Sequence, residues 1–70
     1  MKKIQIHTEY IKLSQFLKWA GICQTGGEAD ALILQGDISV NGAVETRRGK
    51  KLVPGDEISI YDSKYVLSGE

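Results

Sequence analysis

The sequence predicts a small α+β domain in which two amphipathic helices pack on a small antiparallel sheet. Three observations carry this. Apolar residues recur at helical spacing in residues 13–20 and again in 29–33. Short alternating runs follow residue 37, separated by the turn-forming pairs Asn41-Gly42 and Pro54-Gly55. Ile4 and Ile6 alternate with polar neighbours ahead of both helices, as in a first strand that closes the sheet. Seventy residues with no linker, repeat or low-complexity segment read as one domain over 1–70.

The elements follow in order. Leu13, Phe16, Leu17 and Ala20 form one stripe at i, i+3, i+4 and i+7, and Gly21 stands where a C-terminal cap belongs. Lys12 is a poor N-cap, so the start of this helix is weakly marked. The second helix is announced by Thr25-Gly26-Gly27-Glu28, with Thr at the N-cap and Glu three residues on. Ala29, Leu32 and Ile33 are its buried stripe, and Gly36 ends it. Ile38-Ser39-Val40 alternates as a strand, and Asn41-Gly42 signals a hairpin. A two-residue turn there would face Val40 with Ala43 and Ile38 with Glu45, sending Val44 to the opposite side; the expectation is therefore a longer loop or a bulge. Pro54-Gly55 suits the centre of a type II turn. Ile58 and Ile60 alternate in the next strand, and a turn at Asp62-Ser63 leads to a last strand through Tyr65, Val66 and Leu67.

Composition excludes several classes. A hydrophobic fraction of 41% and a charged fraction of 26% are ordinary globular values. A chain of this length buries only about 60% of the surface its unfolded form exposes, too little for a deep active site or a dinucleotide fold. No run approaches the roughly 20 apolar residues of a membrane span, and the N-terminus lacks the apolar core of an export signal. No membrane partner is expected. The lone Cys23 suits a reducing compartment, which makes the cytoplasm the expected location. One Cys and one His argue against a zinc site, and no cofactor or small-molecule substrate is implied. No arrangement of Ser, His and Asp marks a catalytic set, so the chain reads as a non-enzyme. Cys23 itself reads as a small buried hydrophobe, with no neighbour in sequence to activate it.

The net charge is zero, yet it is unevenly distributed. Arg47-Arg48-Gly49-Lys50-Lys51 holds four positive charges and no acid, and Lys2, Lys3, Lys12 and Lys18 against Glu9 leave the first eighteen residues at +3. The arginines offer bidentate forks for phosphate; the plain alternative is a solvated loop. On the first helix Lys12, Gln15 and Trp19 lie together with Lys18 nearby. Trp19 there is open to two readings, a stacking platform for a base or a cover for the edge of a small core. Thr25-Gly26-Gly27 combines free backbone N–H groups, the positive end of a helix and room for close approach, although simple capping is the better account of it taken alone.

Taken together, the residues from Leu13 to Ile60 resemble the S4 domain, an RNA-binding family. The first-helix run Leu13-Ser14-Gln15-Phe16-Leu17-Lys18 and the second-helix start Thr25-Gly26-Gly27-Glu28-Ala29 carry part of the likeness. The passage from Leu32 through Gly36-Asp37-Ile38-Ser39-Val40-Asn41-Gly42 and the stretch Lys51-Leu52-Val53-Pro54-Gly55-Asp56-Glu57-Ile58 carry the rest. Length and the basic run look like the small stand-alone bacterial members. The resemblance implies the S4-like, alpha-L RNA-binding fold and a non-enzymatic role in binding structured RNA. The implied ligand is ribosomal RNA, bare or on a ribonucleoprotein particle, during ribosome assembly or translation. The residues it implicates are Lys12, Gln15 and Lys18 on the first helix, Thr25, Gly26 and Gly27 at the second, and Arg47, Arg48, Lys50 and Lys51 in the loop. Gly26 and Asp30 stand where many members carry Arg and Lys, which shifts the expected binding toward the loop and the first helix. Two alternatives remain at this level: a protein-interaction module on the same scaffold, anchored on Trp19, and a β-grasp carrier. The chain ends Ser68-Gly69-Glu70 and so lacks the Gly-Gly terminus of such carriers.

Overall fold

A computed structural model describes residues 1–69. The chain runs β1 (Lys2–Gln5), β2 (Ile11–Lys12), α1 (Leu13–Trp19), α2 (Gly26–Leu34), β3 (Ile38–Val40), β4 (Ala43–Val44), β5 (Lys51–Leu52), β6 (Glu57–Ile60) and β7 (Ser63–Ser68). Helices this short do not hold in water alone; they persist by burying a face. Leu13, Phe16 and Leu17 of α1 and Ala29 and Ile33 of α2 are fully buried. Each large apolar side chain among them contributes about 1.5–3 kcal/mol of burial. Gly21 and Gly36 follow the two helices at φ +77° and +81°, the left-handed geometry that ends a helix without a Cβ clash. Thr25 caps α2 as expected, its Oγ1 accepting the Glu28 N–H at 3.1 Å. Glu28 returns its bond to the N–H of Gln24, one residue before the cap.

Beneath the helices lies a five-stranded sheet in the order β1-β7-β6-β3-β4. Ile38 faces Ile60 and Val40 faces Ile58 on the core side, while Ser39 and Ser59 pair on the other. Phe16 of α1 meets Tyr65 of β7 edge to face, with ring centroids 6.0 Å apart. The α+β class holds, but the sheet is mixed rather than wholly antiparallel. β1 lies parallel to β7, with Ile4 beside Leu67. Alternation reports which face a strand buries and carries no information on its direction. The long connection from β1 to β7 allows the parallel pairing that a short turn cannot.

The β3–β4 hairpin corrects the expected longer loop. It closes through a two-residue turn, with Val40 opposite Ala43, Ser39 opposite Val44, and the Glu45 N–H bonded to the Ile38 carbonyl at 2.9 Å. Asn41 and Gly42 both take positive φ, 52° and 87°, as a type I′ turn requires. The objection to this register was the outward placement of Val44. In the structure Val44 is 63% exposed on a two-residue edge strand, so nothing demands its burial. Asn41 also bridges to β6: its Nδ2 donates to Asp56 at 3.1 Å and its Oδ1 accepts the Glu57 N–H at 2.9 Å. The turn at Pro54-Gly55 forms as expected, with Asp56 N–H bonded to the Val53 carbonyl. The last turn falls at Tyr61-Asp62, one residue earlier than the sequence placed it.

A second, two-stranded sheet was not expected. β2 and β5 pair antiparallel, Ile11 with Leu52 and Lys12 with Lys51. Leu52 is fully buried, so β5 is anchored in the core while its neighbours stay outside. This pair brings the basic run to the start of α1.

Candidate nucleic-acid interface

The weakly marked start of α1 is completed from elsewhere in the chain. A helix begins with N–H groups that have no partner inside it. Lys12 supplies no side-chain cap. Instead the Leu13 N–H donates to the Lys50 carbonyl at 2.8 Å, and the Ser14 N–H to the Arg48 carbonyl at 3.1 Å. Gln15 Oε1 accepts from the Lys12 N–H at 3.4 Å. A turn from Arg47 to Lys50, closed by a 3.2 Å backbone bond, shapes the loop between. The loop backbone is thus the cap of α1, and Arg47, Arg48, Lys50 and Lys51 are carried to the N-terminal end of that helix, beside Lys12.

Charge on this face is partly compensated. Arg47 donates from Nε and Nη2 to the two carboxylate oxygens of Glu45, each at 3.0 Å, and its backbone N–H adds a third bond of 3.0 Å. These hydrogen bonds, side chain first and then backbone, hold the Glu45 carboxyl down at about 2. The same pairing raises Arg47 above its ordinary value. Arg48 donates to Asp30 of α2 at 2.9 Å, joining the loop to the second helix. Asp30 therefore does more than remove a positive charge; it is the acid that brings the loop across to α2. Both arginine side chains remain 72% exposed, so each pair leaves the guanidinium accessible. Lys12 and Lys51 stand directly opposite each other, an unfavourable pairing of like charges. Lys51 is relieved in part by the ring of Tyr10, whose centroid lies 4.8 Å from Nζ.

Gly26 and Gly27 open α2 with exposed backbone. A Cβ at Gly26 would meet nothing within 4 Å, and one at Gly27 would meet only the Thr25 hydroxyl at 3.9 Å. Neither has a positive φ. The fold therefore does not demand glycine at these two positions, although their bareness leaves the helix start open to a close approach. Asp30 follows them by one turn and shares their helix face, so the α2 start adjoins the Arg48 side of the loop. Of the ten residues singled out in the sequence, Gln15, Lys18, Gly26 and Gly27 lie in the helices, Lys12 and Thr25 directly precede them, Arg47, Arg48 and Lys50 lie in the loop, and Lys51 opens β5.

Trp19 is 56% exposed, and its indole N–H donates to the Gln5 carbonyl at 2.9 Å. His7 stands edge-on to it, with centroids 6.4 Å apart. An open groove of about 780 Å³ runs along this side, lined by residues 6–11 with Gln15, Lys18 and Trp19. Tyr10 and Glu45 are not flagged by the sequence, and Asp30 is flagged only as a lost positive charge, not as the partner of Arg48. Their roles depend on contacts set by the turns, and no spacing in the sequence signals them. Cys23 is buried, and burial, with Glu28 nearby, pushes its thiol above the ordinary value.

Two helices on a mixed sheet, with a cationic loop bound to the first helix and tied to the second, define a small α+β module. The chain belongs to the S4 domain family, whose sequence pattern matches residues 4–68. It is 44% identical over 57 residues to the "Probable ribosome maturation protein RlbA" of Bacillus subtilis (strain 168), covering 81% of this chain and 80% of that one. It is 38% identical over 50 residues to YbcJ of Escherichia coli (strain K12), covering 71% of each. A solution structure of Escherichia coli YbcJ, described as revealing an "alfaL motif involved in RNA-binding", superposes with a TM-score of 0.74. That likeness covers 97% of this chain and 87% of the other at 29% identity. Family membership replaces the β-grasp alternative.

Proposed function

We propose that this protein is a non-enzymatic binder of structured RNA, and that its ligand is ribosomal RNA met in the cytoplasm during ribosome assembly or translation. The observation that carries the reading is the backbone capping of α1 by the basic loop. It holds the backbone of Arg48 and Lys50 at the start of α1, and the β2–β5 pair sets Lys51 beside Lys12, so these cations stand on a fixed scaffold rather than on a free tail. Cations held in place meet phosphates and set the register, while helix shape and the bare α2 start fit the local form of the RNA. Gln15, Thr25, Gly26 and Gly27 are the proposed uncharged contacts. The description of the YbcJ structure supports RNA binding, and the name of the Bacillus subtilis relative supports a setting in ribosome maturation. Among the described residues no helix is long and apolar enough to cross a membrane.

The test is binding of a structured ribosomal RNA fragment across a salt series. With three to five phosphates engaged, affinity falls by roughly a hundredfold between 50 and 200 mM salt. Arg47→Glu with Arg48→Glu abolishes binding while circular dichroism reports an intact fold. Lys12→Ala with Lys50→Ala weakens it without disturbing either ion pair. Absence of binding at low salt, or an affinity indifferent to salt, overturns the reading.

A further inference from the structure

We propose that the groove beside α1 receives one unpaired base of the bound RNA, stacked against Trp19. The inference rests on the RNA-binding reading above and assigns a separate subsite to it. Trp19 does not serve as a core cover: its ring stays more than half exposed, while Phe16 and Leu17 fill the interior beneath α1. Yet the ring is not loose. The bond from Nε1 to the Gln5 carbonyl and the edge-on His7 fix its plane before any ligand arrives. A pre-set aromatic surface loses little rotamer freedom on binding.

The rest of the lining fits a flat, uncharged ring with phosphates on either side. Tyr10 is a second aromatic wall, 41% exposed, and the bond from the Thr8 hydroxyl to its carbonyl at 2.7 Å holds its turn. Half-buried Ile11 supplies apolar surface, and Ile6, itself buried, lies behind it. Lys18 lines the groove, Lys51 lies over the Tyr10 ring, and Lys12 is opposite Lys51, so cations border the groove where a nucleotide's phosphates would leave it. Glu9 is also in the lining. It disfavours a phosphate or an acidic peptide inside the groove and leaves a neutral base unopposed. The Gln15 amide oxygen is engaged by Lys12, which leaves its NH2 group as a donor for a base edge. Base stacking on an aromatic tolerates any sequence, because every base presents a π face.

Trp19 is the sole tryptophan, so its fluorescence reports this groove directly. The probes are a ribosomal RNA hairpin with a single-nucleotide bulge and the same hairpin fully paired. The bulged hairpin should quench Trp19 more than the paired one does. Trp19→Ala should lower affinity for the bulged hairpin by about 5- to 150-fold, with the paired hairpin and the salt slope unchanged. Tyr10→Ala, which leaves the Trp19–Gln5 bond intact, should show the same selectivity, with melting curves confirming that both variants fold. If both variants bind both hairpins as the wild type does, with normal salt dependence, the base subsite falls and RNA binding stands. If affinity drops equally for both hairpins, the groove holds no unpaired base. If the wild type binds neither hairpin at low salt, the RNA reading fails and the subsite with it.

Discussion

Asp30→Asn removes the acid that holds Arg48 while keeping the size of the side chain, and its effect on binding can be worked out. Of the proposed cationic contacts Lys12, Lys18, Arg47, Arg48, Lys50 and Lys51, two are paired, Arg47 with Glu45 and Arg48 with Asp30, which leaves four without a carboxylate partner among the described residues. Four phosphate contacts give a slope of log affinity on log salt of about −3.6, a fall of about 150-fold from 50 to 200 mM. A fifth contact steepens the slope to about −4.5 and the fall to about 500-fold. Asp30→Asn should therefore bind more tightly than wild type, with an advantage about 3.5-fold greater at 50 mM than at 200 mM. Fluorescence anisotropy with a labelled ribosomal RNA fragment at four salt concentrations measures both quantities. The fold should survive, because an exposed ion pair contributes only about 0–1 kcal/mol. A slope equal to or shallower than wild type would refute the reasoning. A uniform loss of affinity at every salt concentration would refute it in another way, by making Asp30 a positioning group for Arg48 rather than a competitor for it.

Three further outcomes are expected. Glu45 titrates at about 2 against an ordinary 4.5, so its pair with Arg47 supports the fold fully above pH 4.5, and this support drains as pH falls toward 2. The melting temperatures of wild type and Glu45→Gln should differ by a constant amount above about pH 5 and converge toward pH 2; a gap undiminished at pH 2 would contradict the pairing. Leu52→Ala should cost about 2–5 kcal/mol, because it hollows the point where β5 enters the core. In a urea titration that is a large part of the roughly 4–10 kcal/mol available to a chain of this size, and an unchanged midpoint would show that β5 is not anchored there. Cys23 should react with a thiol reagent at pH 8 more slowly than a free cysteine, and denaturant should remove the difference.

What the sequence could reveal was local. The stripe Leu13, Phe16, Leu17, Ala20 and the capping Thr25 depend on neighbours a turn away; Thr25 and the first three stripe residues stand as read, while Ala20 is half-buried at the C-cap. Asn41-Gly42 marks its turn; the register departs from expectation because Val44, on an edge strand, does not seek the core. The β2–β5 pair was invisible because two residues cannot display a period, and its partners lie far apart in the chain. The parallel β1–β7 pairing was hidden for a different reason, since strand direction follows from the path of the chain. At the site, the charged residues were legible as composition. Their pairing was not: Arg48 finds Asp30 on another element, and the cap of α1 is made by carbonyls, which every residue has. The orientation of Trp19 rests on the Gln5 carbonyl of β1, fourteen residues away, which no local pattern signals.

The cap of α1 has a thermodynamic consequence. Leu13 and Ser14 are closed by the backbone of Lys50 and Arg48, so the charged face has no existence as a segment. A peptide carrying only the basic run would possess its charges without their arrangement. Occupancy and folding are then one linked equilibrium. An RNA present at a hundred times its Kd adds about 2.7 kcal/mol to the folded state. For a domain with a total of roughly 4–10 kcal/mol, that makes the nucleic acid a substantial part of what keeps the protein folded.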